Sequence, residues 1–572
     1  MPFSRGAWPL AILICFACHA FWEGHGVLDP AFRNPDVAGI AYNARLLVTG
    51  ALPYVNSAEI KPPGAFLLFA PLLALGGMRA VWAAAVVWGA SLSLATGALA
   101  AAVWNKGAGP RAAVLHAACA VIASDGDINY SFWMATPFVA AAACATAATL
   151  AVDTRRAALL WFGSGLASML AVAIKPSAWP VCLLFAALLL HELARKKFTR
   201  VAVAIGAGLA GAAATATLIA LPFALAGELG GLRRGLGEVA AFGNEYVAIV
   251  AQALGGRVRA IWAGVPCLFE QMPGLIALGA LGASTLFSRR EPQSRLAFAG
   301  WLFLVAAFLG VSYTLRFFSH DNVQLWPALA VIAVRPAGVL ALVLDRVERV
   351  RFALLPATLA LGLVAASPGF VQRWGYVHYM AERDHEIEDV CREVAPFLPR
   401  NEPVLGWGWS AWSVYEHCAR RAPGRVFKVV AAVTTINTNT CNNGFGPMKL
   451  RPGPALERFF AEVAERPPSL FLWSSYFKEM GGDPLEAFLP LRAFLAAHYA
   501  VVDARGPFVA LLRNDLLPST PRVLTQREAP LGVSSGSGMY GWSARAGSVW
   551  TSTSLTPENP ALMASITQCV TR

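Results

Sequence analysis

Between residues 7 and 367 the chain alternates long uncharged runs with short polar connections. The run Ala80–Val103, "AVWAAAVVWGASLSLATGALAAAV", carries no charge and exceeds the roughly twenty residues that cross a bilayer as a helix. Lys and Arg cluster on alternate connections, which orients the runs by the positive-inside bias. With Arg5 inside, the spans fall at 7–22, 80–103, 112–123, 135–151, 157–173, 177–190, 201–222 and 272–287, followed by a pair that leads out to "TLRFFSHDN" and returns through 323–344, and by a last span at 352–367. The pattern predicts about eleven crossings. Parity holds only if Ala65–Gly77 does not cross; at about a dozen residues that run suits an interfacial or re-entrant helix. Taking the first run as a cleaved signal would reverse every later loop, and Cys18 and His19 make a poor cleavage site, so it is kept as a span. Arg233, Arg234, Arg257 and Arg259 lie in an outer loop long enough for the bias to weaken.

From about Ser367 the texture changes to mixed charges, prolines and short apolar runs, the pattern of a folded aqueous domain. There "EPVLGWGWS" reads as a buried strand and "SAWSVYEHCARR" as a helix. "ALERFFAEVAERPPSLFLW" reads as a helix, a Pro-Pro break and a strand, and "HYAVVDARGPFVALLRND" as two strands joined by "ARGP". "TTINTNTCNNGFGPM" reads as a loop. The expected organisation is therefore an α-helical polytopic membrane domain over 1–367, with an outer loop at 23–79 bearing juxtamembrane helices. An α/β extracytoplasmic, periplasmic domain over 368–516 follows, then a tail over 517–572 whose Ser, Gly, Thr and Pro content reads as mobile.

Composition agrees: of 572 residues 56% are hydrophobic and 14% charged, far from the roughly one-quarter charged residues of soluble proteins. The net charge of +12 comes from clusters between apolar runs rather than from one basic stripe, which argues against nucleic acid as a partner. Cys15, Cys18, Cys119, Cys144, Cys182 and Cys267 lie in or beside spans and behave as small apolar residues. Cys391, Cys418, Cys441 and Cys569 lie in the outer domain, where disulfides can form in a pairing that sequence does not specify. No Walker loop and no paired CxxC zinc spacing occurs.

The unusual polar residues all map to the outer side. The first outer loop, "NPDVAGIAYNARLLVTGALPYVNSAEIKPPG", holds Asp36, Arg45, Glu59 and Lys61. The second offers Asp125 and Asp127, with Asn129 beyond; "AVAIKPSAWP" ends a span on Lys175, and "TLRFFSHDN" supplies Arg316, His320 and Asp321. Ionisable groups at membrane depth cost a few kcal/mol each, so a group of them marks a polar cavity or a site. Carboxylates and cations at one interface suit attack by an acceptor hydroxyl on a sugar carried by a lipid phosphate. A carboxylate takes the proton, and Lys or Arg meets the charge on the departing phosphate. Each residue also has a plain reading: Asp36 as a helix cap, Asp125 and Asp127 as a turn around Gly126, Lys61 and Lys175 snorkelling to headgroups, and His320 as a core histidine.

"NPDVAGIAYNARLLVTGALPY" followed by "KPPG" resembles the first outer loop of the GT-C superfamily of membrane glycosyltransferases, in particular the protein O-mannosyltransferase and aminoarabinose transferase group (glycosyltransferase family 39-like). "AVAIKPSAWP", "RFFSHDNVQLWPALAVIA" and "PVLGWGWSAWSVY" resemble that group's mid-chain lysine, its late Arg/His segment and the opening of its outer domain. The resemblance implies inverting transfer from a polyprenyl-phosphate sugar, of hexose or pentose class, to a lipid, glycan or protein acceptor of the cell envelope, at the outer face of a bacterial cytoplasmic (inner) membrane. It maps the catalytic aspartate onto Asp36 and donor-phosphate binding onto Lys61 and Lys175; Arg316 and His320 are added as donor contacts, and Glu59 and Arg45 as acceptor or support residues. A second acid usual at the start of the fourth span is replaced here by Thr136 in "MATPFVAA", leaving Asp127 or Asp125 to serve from upstream. A divalent cation on Asp36 and Asp127 is compatible with these carboxylates, which do not by themselves establish one. The rival readings are a flippase or transporter of lipid-linked sugars, which predicts a midplane site and internal repeats, and a polysaccharide polymerase or ligase, which differs only in acceptor.

Overall fold

The computed structural model describes residues 4–123, 127–283, 296–336, 354–428, 433–436, 438–441, 450–474 and 489–517. Asp125, Cys569 and all but the first residue of the tail lie outside them. The chain divides into two compact units. One comprises Met1–Ala31, Lys61–Gly230 and Leu254–His378; the other comprises Phe32–Ile60, Gly231–Ala253 and Tyr379–Arg572.

The first unit is helical: α1 Ser4–Trp22, α2 His25–Leu28, α4 Gly64–Val103, α5 Ala108–Ala123, α6 Tyr130–Leu150, α7 Thr154–Ile174, α8 Val181–Ala194, α9 Phe198–Leu225, α11 Arg257–Gln271, α12 Pro273–Ala283, α13 Ala297–Ser312 and α14 Trp326–Ala333. The helices α3 Pro35–Val48 and most of α10 Leu229–Ala253 belong to the second. Among the described residues, five helices can cross a membrane by length and composition, or six if α11 and α12, bent by 103° at Met272–Pro273, form one span; α1, α13 and 355–367 add shorter apolar stretches. The chain is a multi-pass membrane protein.

Local chemistry explains the boundaries that matter for the site. α4 is broken at Gly76 and Gly77, and Gly77 adopts φ +62°. Glycine carries that left-handed geometry without a Cβ penalty, so the short run Ala65–Gly77 is set apart from the apolar helix after it. α7 stops at Ile174 because Pro176 disfavours helical geometry at the residue before it, and Lys175 is extended at φ −149°, ψ 118°. α6 starts where the Asn129 side chain accepts the Ser131 N–H at 2.8 Å. The run expected to return through 323–344 begins with a 3-10 segment, Ser319–Gln324, followed by α14, whose first turn takes Pro327; residues 337–353 lie outside the described ones.

In the second unit, β1 Val404–Trp407, β2 Leu470–Ser474, β4 Phe508–Arg513 and β3 Tyr499–Arg505 form one sheet in the order β1-β2-β4-β3. β1 runs parallel to β2, and the crossover between them contains the helix Pro454–Glu465. β4 is antiparallel to both neighbours, and Gly506, at φ +52°, turns the β3–β4 hairpin. β1 and β2, the parallel pair, are buried throughout, whereas β4 alternates, as a strand with one covered face does. One core of this unit joins Tyr42 and Leu46 of α3 to Ile387, Val390, Tyr415, Phe427, Leu472 and Leu512. A disulfide links Cys391 to Cys418 within it.

Candidate active site

In the first unit the polar residues gather around Asp321, which is 6% exposed. Lys175 donates a hydrogen bond to Ser131 Oγ at 2.6 Å and forms an ion pair with Asp321. Thr314 Oγ1 donates to the other oxygen of Asp321 at 3.3 Å, and His320 Nε2 lies 3.7 Å from the first. Burial opposes ionisation of this carboxylate, but the charges of Lys175, His320 and Lys61 outweigh it and hold its pKa below the usual carboxylate range. The Lys61 ammonium stands 5.2 Å over the ring of Tyr130. Asp127 accepts from Asn129 Nδ2 at 2.7 Å, next to the cap that starts α6.

Arg316 is 4% exposed, and its guanidinium lies 5.6 Å over the ring of Phe318. Its neighbours Leu315 and Phe317 have φ of +61° and +53°. Bulky residues in left-handed geometry cost on the order of 1–3 kcal/mol each and persist where the surroundings over-determine them. Those surroundings are visible: Gln271 Nε2 donates to the Phe317 carbonyl at 3.2 Å, and Gln324 Nε2 donates to the Ala307 carbonyl at 3.0 Å. Thus Lys175 and His320 are brought to one carboxylate on which the charge of Lys61 also acts, with Asp127 and Arg316 on the segments flanking the group. Thr136 instead donates to the Trp88 carbonyl at 3.1 Å.

Asp36, Arg45 and Glu59 belong to the second unit. Asn34, not Asp36, caps α3: its side chain accepts the Asp36 N–H at 2.7 Å, and Pro35 takes the first turn. Asp36 is left in that first turn, half-buried, where a carboxylate is favoured by the helix dipole. Arg45 Nε donates to Glu416 at 2.7 Å. Glu59 is buried and paired at 2.9 Å with buried Lys428; Asn43 Nδ2 donates to the same carboxylate at 2.8 Å, and Ser57 Oγ donates to Asn43 at 2.6 Å. A Cβ on Gly39 would meet Lys428 Cε at 2.4 Å, so glycine there leaves room for the lysine stem.

Sequence reasoning placed Asp321 in its loop but gave it no role, and it overlooked Ser131 and Lys428. The signal for Lys428 was its position as the one charge in the apolar run "VFKVV". Ser131 carried none, because a serine two residues after an Asn cap is unremarkable. Among the described residues, no group of three or more His, Cys, Asp or Glu side chains is placed to hold a metal ion.

ArnT from Cupriavidus metallidurans bound to undecaprenyl phosphate has a similar structure, with a TM-score of 0.55 over 90% of this chain and 98% of that one, at 14% identity. The chain has a GT-C fold. The apo state of the same ArnT superposes equally well, at 13% identity. The oligosaccharyltransferase of Archaeoglobus fulgidus in its apo form matches with a TM-score of 0.50 over 83% of this chain and 70% of that one, at 12% identity. No protein-family model matches the sequence, and no curated protein matches it.

Proposed function

We propose that this protein transfers a sugar, hexosyl or pentosyl, from a polyprenyl-phosphate donor to a cell-envelope acceptor at the outer face of a bacterial cytoplasmic membrane. The observation that carries the reading is the gathering of Lys175, Lys61 and His320 around Asp321, at the ends of apolar helices in a GT-C fold. Cations held together in that way suit a phosphate placed at headgroup depth. The Cys391–Cys418 disulfide supports an oxidising compartment for the second unit.

In the proposed reaction the acceptor oxygen attacks the anomeric carbon from the face opposite the phosphate, and the Asp36 carboxylate takes the acceptor proton. The bond between anomeric carbon and phosphate oxygen breaks, and its electron pair stays on the polyprenyl phosphate, whose negative charge rises by one. Lys175, with Lys61 and Arg316, meets that charge as it develops, which is where electrostatic help lowers a barrier. Asp127, or Asp125 beyond the described residues, assists Asp36 as the second catalytic carboxylate; Glu59 and Arg45 serve as acceptor or support residues.

The test is mass spectrometry of cell-envelope glycans with and without the gene, together with transfer assays on purified protein. Asp36→Asn is expected to lower turnover by about 10²–10⁴-fold, the usual worth of a general base, while leaving donor binding nearly intact. Lys175→Gln is expected to weaken donor binding by about 10–100-fold, the loss of a charge-assisted hydrogen bond. Normal glycans with a fully expressed Asp36→Asn protein would remove Asp36 from the role of base. Translocation of lipid-linked sugar without transfer would replace the whole reading by a flippase.

A further inference from the structure

The cations suited to a phosphate already have an anion among them. Lys175 spends one N–H on Ser131 and another on Asp321, and Asp321 is buried, anchored by Thr314 and faced by His320. Lys61 also acts on this carboxylate through its charge. Two carboxylate oxygens offer Lys175 the same acceptor chemistry as two phosphate oxygens, so a lipid phosphate that binds Lys175 competes with Asp321 for the same protons.

We infer that Asp321 is an internal competitor for the donor phosphate, a positioning residue that yields Lys175 to the incoming lipid phosphate and reclaims it as the product leaves. The inference rests on the donor chemistry proposed above. Its physical need follows from the charge balance of that chemistry. The donor phosphodiester carries one negative charge and the released lipid phosphate approaches two, so fixed cations hold the product more tightly than the substrate. A resident carboxylate that takes the lysine back offsets that preference. It also neutralises the lysine in a poorly hydrated place where an unpaired charge would be costly.

The test uses purified full-length protein in nanodiscs and measures binding of undecaprenyl phosphate, with inorganic phosphate in a parallel arm to separate a lipid headgroup from free anion. Asp321→Asn is expected to bind undecaprenyl phosphate about tenfold more tightly than wild type, because one charge-assisted hydrogen bond no longer has to be broken. In turnover assays it lowers kcat and donor KM together and sharpens inhibition by the lipid product. Asp321→Glu, which restores the charge, returns all three toward wild type. If Asp321→Asn does not fold, Thr314→Val loosens the same carboxylate and is expected to tighten binding about threefold. Unchanged or weaker binding in the folded variant would assign Asp321 a merely structural hold on Lys175 and overturn the inference. If wild type binds undecaprenyl phosphate no better than inorganic phosphate, the donor assignment falls, and the inference falls with it; binding by wild type without tightening in the variant overturns the inference alone.

Discussion

At the scale of the residue, the second unit is pinned by one charge inside an apolar surround. Lys428 is buried, and its ammonium meets Glu59 at 2.9 Å and lies 5.2 Å over the ring of Trp412. Lys428→Met leaves Glu59 as a buried carboxylate without its lysine, and breaking such a pair costs about 3–5 kcal/mol. The expected outcome is a marked drop in melting temperature of the purified protein, partly regained by the double variant Lys428→Met with Glu59→Met, in which no charge is stranded. A double variant no more stable than the single one would mean that the packing of the lysine stem, not its charge, holds the segment. This pair was not legible in the sequence. Its members are 369 positions apart, and neither residue alone reveals which distant partner neutralises it. The position of Lys175 was legible, because Pro176 ends the helix just before it and leaves the charge at the end of an apolar run.

At the scale of the element, the loop from α13 to α14 carries Arg316, His320 and Asp321 on a backbone forced twice into left-handed geometry. The ring of Phe317 fills the space beside Gly264 of α11, where an added Cβ would lie 2.0 Å from the ring. Gly264→Ala therefore has to move Phe317, and with it Arg316 and Asp321 on the same short segment. The expected outcome is donor binding weakened by about tenfold or more, with melting temperature changed little, since releasing a strained segment returns some of the 1–3 kcal/mol stored at each such residue. A large fall in stability with unchanged binding in the folded fraction would make the loop a packing feature only. Elements set by local rules were readable in advance: the break at Gly76–Gly77, the strand pair around "ARGP", and the helix ended by Pro467 and Pro468. "SAWSVYEHCARR" was less so, and yields a 3-10 segment, Trp409–Ser413, and a single helical turn, Val414–His417. Its apolar residues follow no helical period long enough to sustain more.

At the scale of the whole molecule, the periodic apolar runs announced a multi-pass membrane protein, while the assembly of the second unit from three separated pieces of chain stayed hidden. Hydropathy records how long a segment is and which environment it prefers; it holds no information about which loop folds with which distant strand. Asp384 is one place where such pieces meet. Its carboxylate accepts the Phe32 N–H at 2.8 Å and faces His417 Nε2 at 3.0 Å, joining the start of the first loop to two segments of the C-terminal third. Burial works against a charged His417, but Asp384, with Glu388 and Glu416 nearby, outweighs it and raises the imidazole above its ordinary 6.5. A raised histidine pKa contributes stability that is complete below 6.5 and is lost as pH climbs through the folded-state value. The melting temperature of wild type should therefore exceed that of His417→Gln by most below pH 6.5, with the gap closing as pH rises through the raised folded-state pKa. Asp384→Asn should shrink the pH dependence of that gap, because the largest of the contributions that favour the imidazolium is removed while Glu388 and Glu416 remain. A gap that widens with rising pH would reverse the assigned sign, and the histidine would then be stabilising the unit in its neutral form.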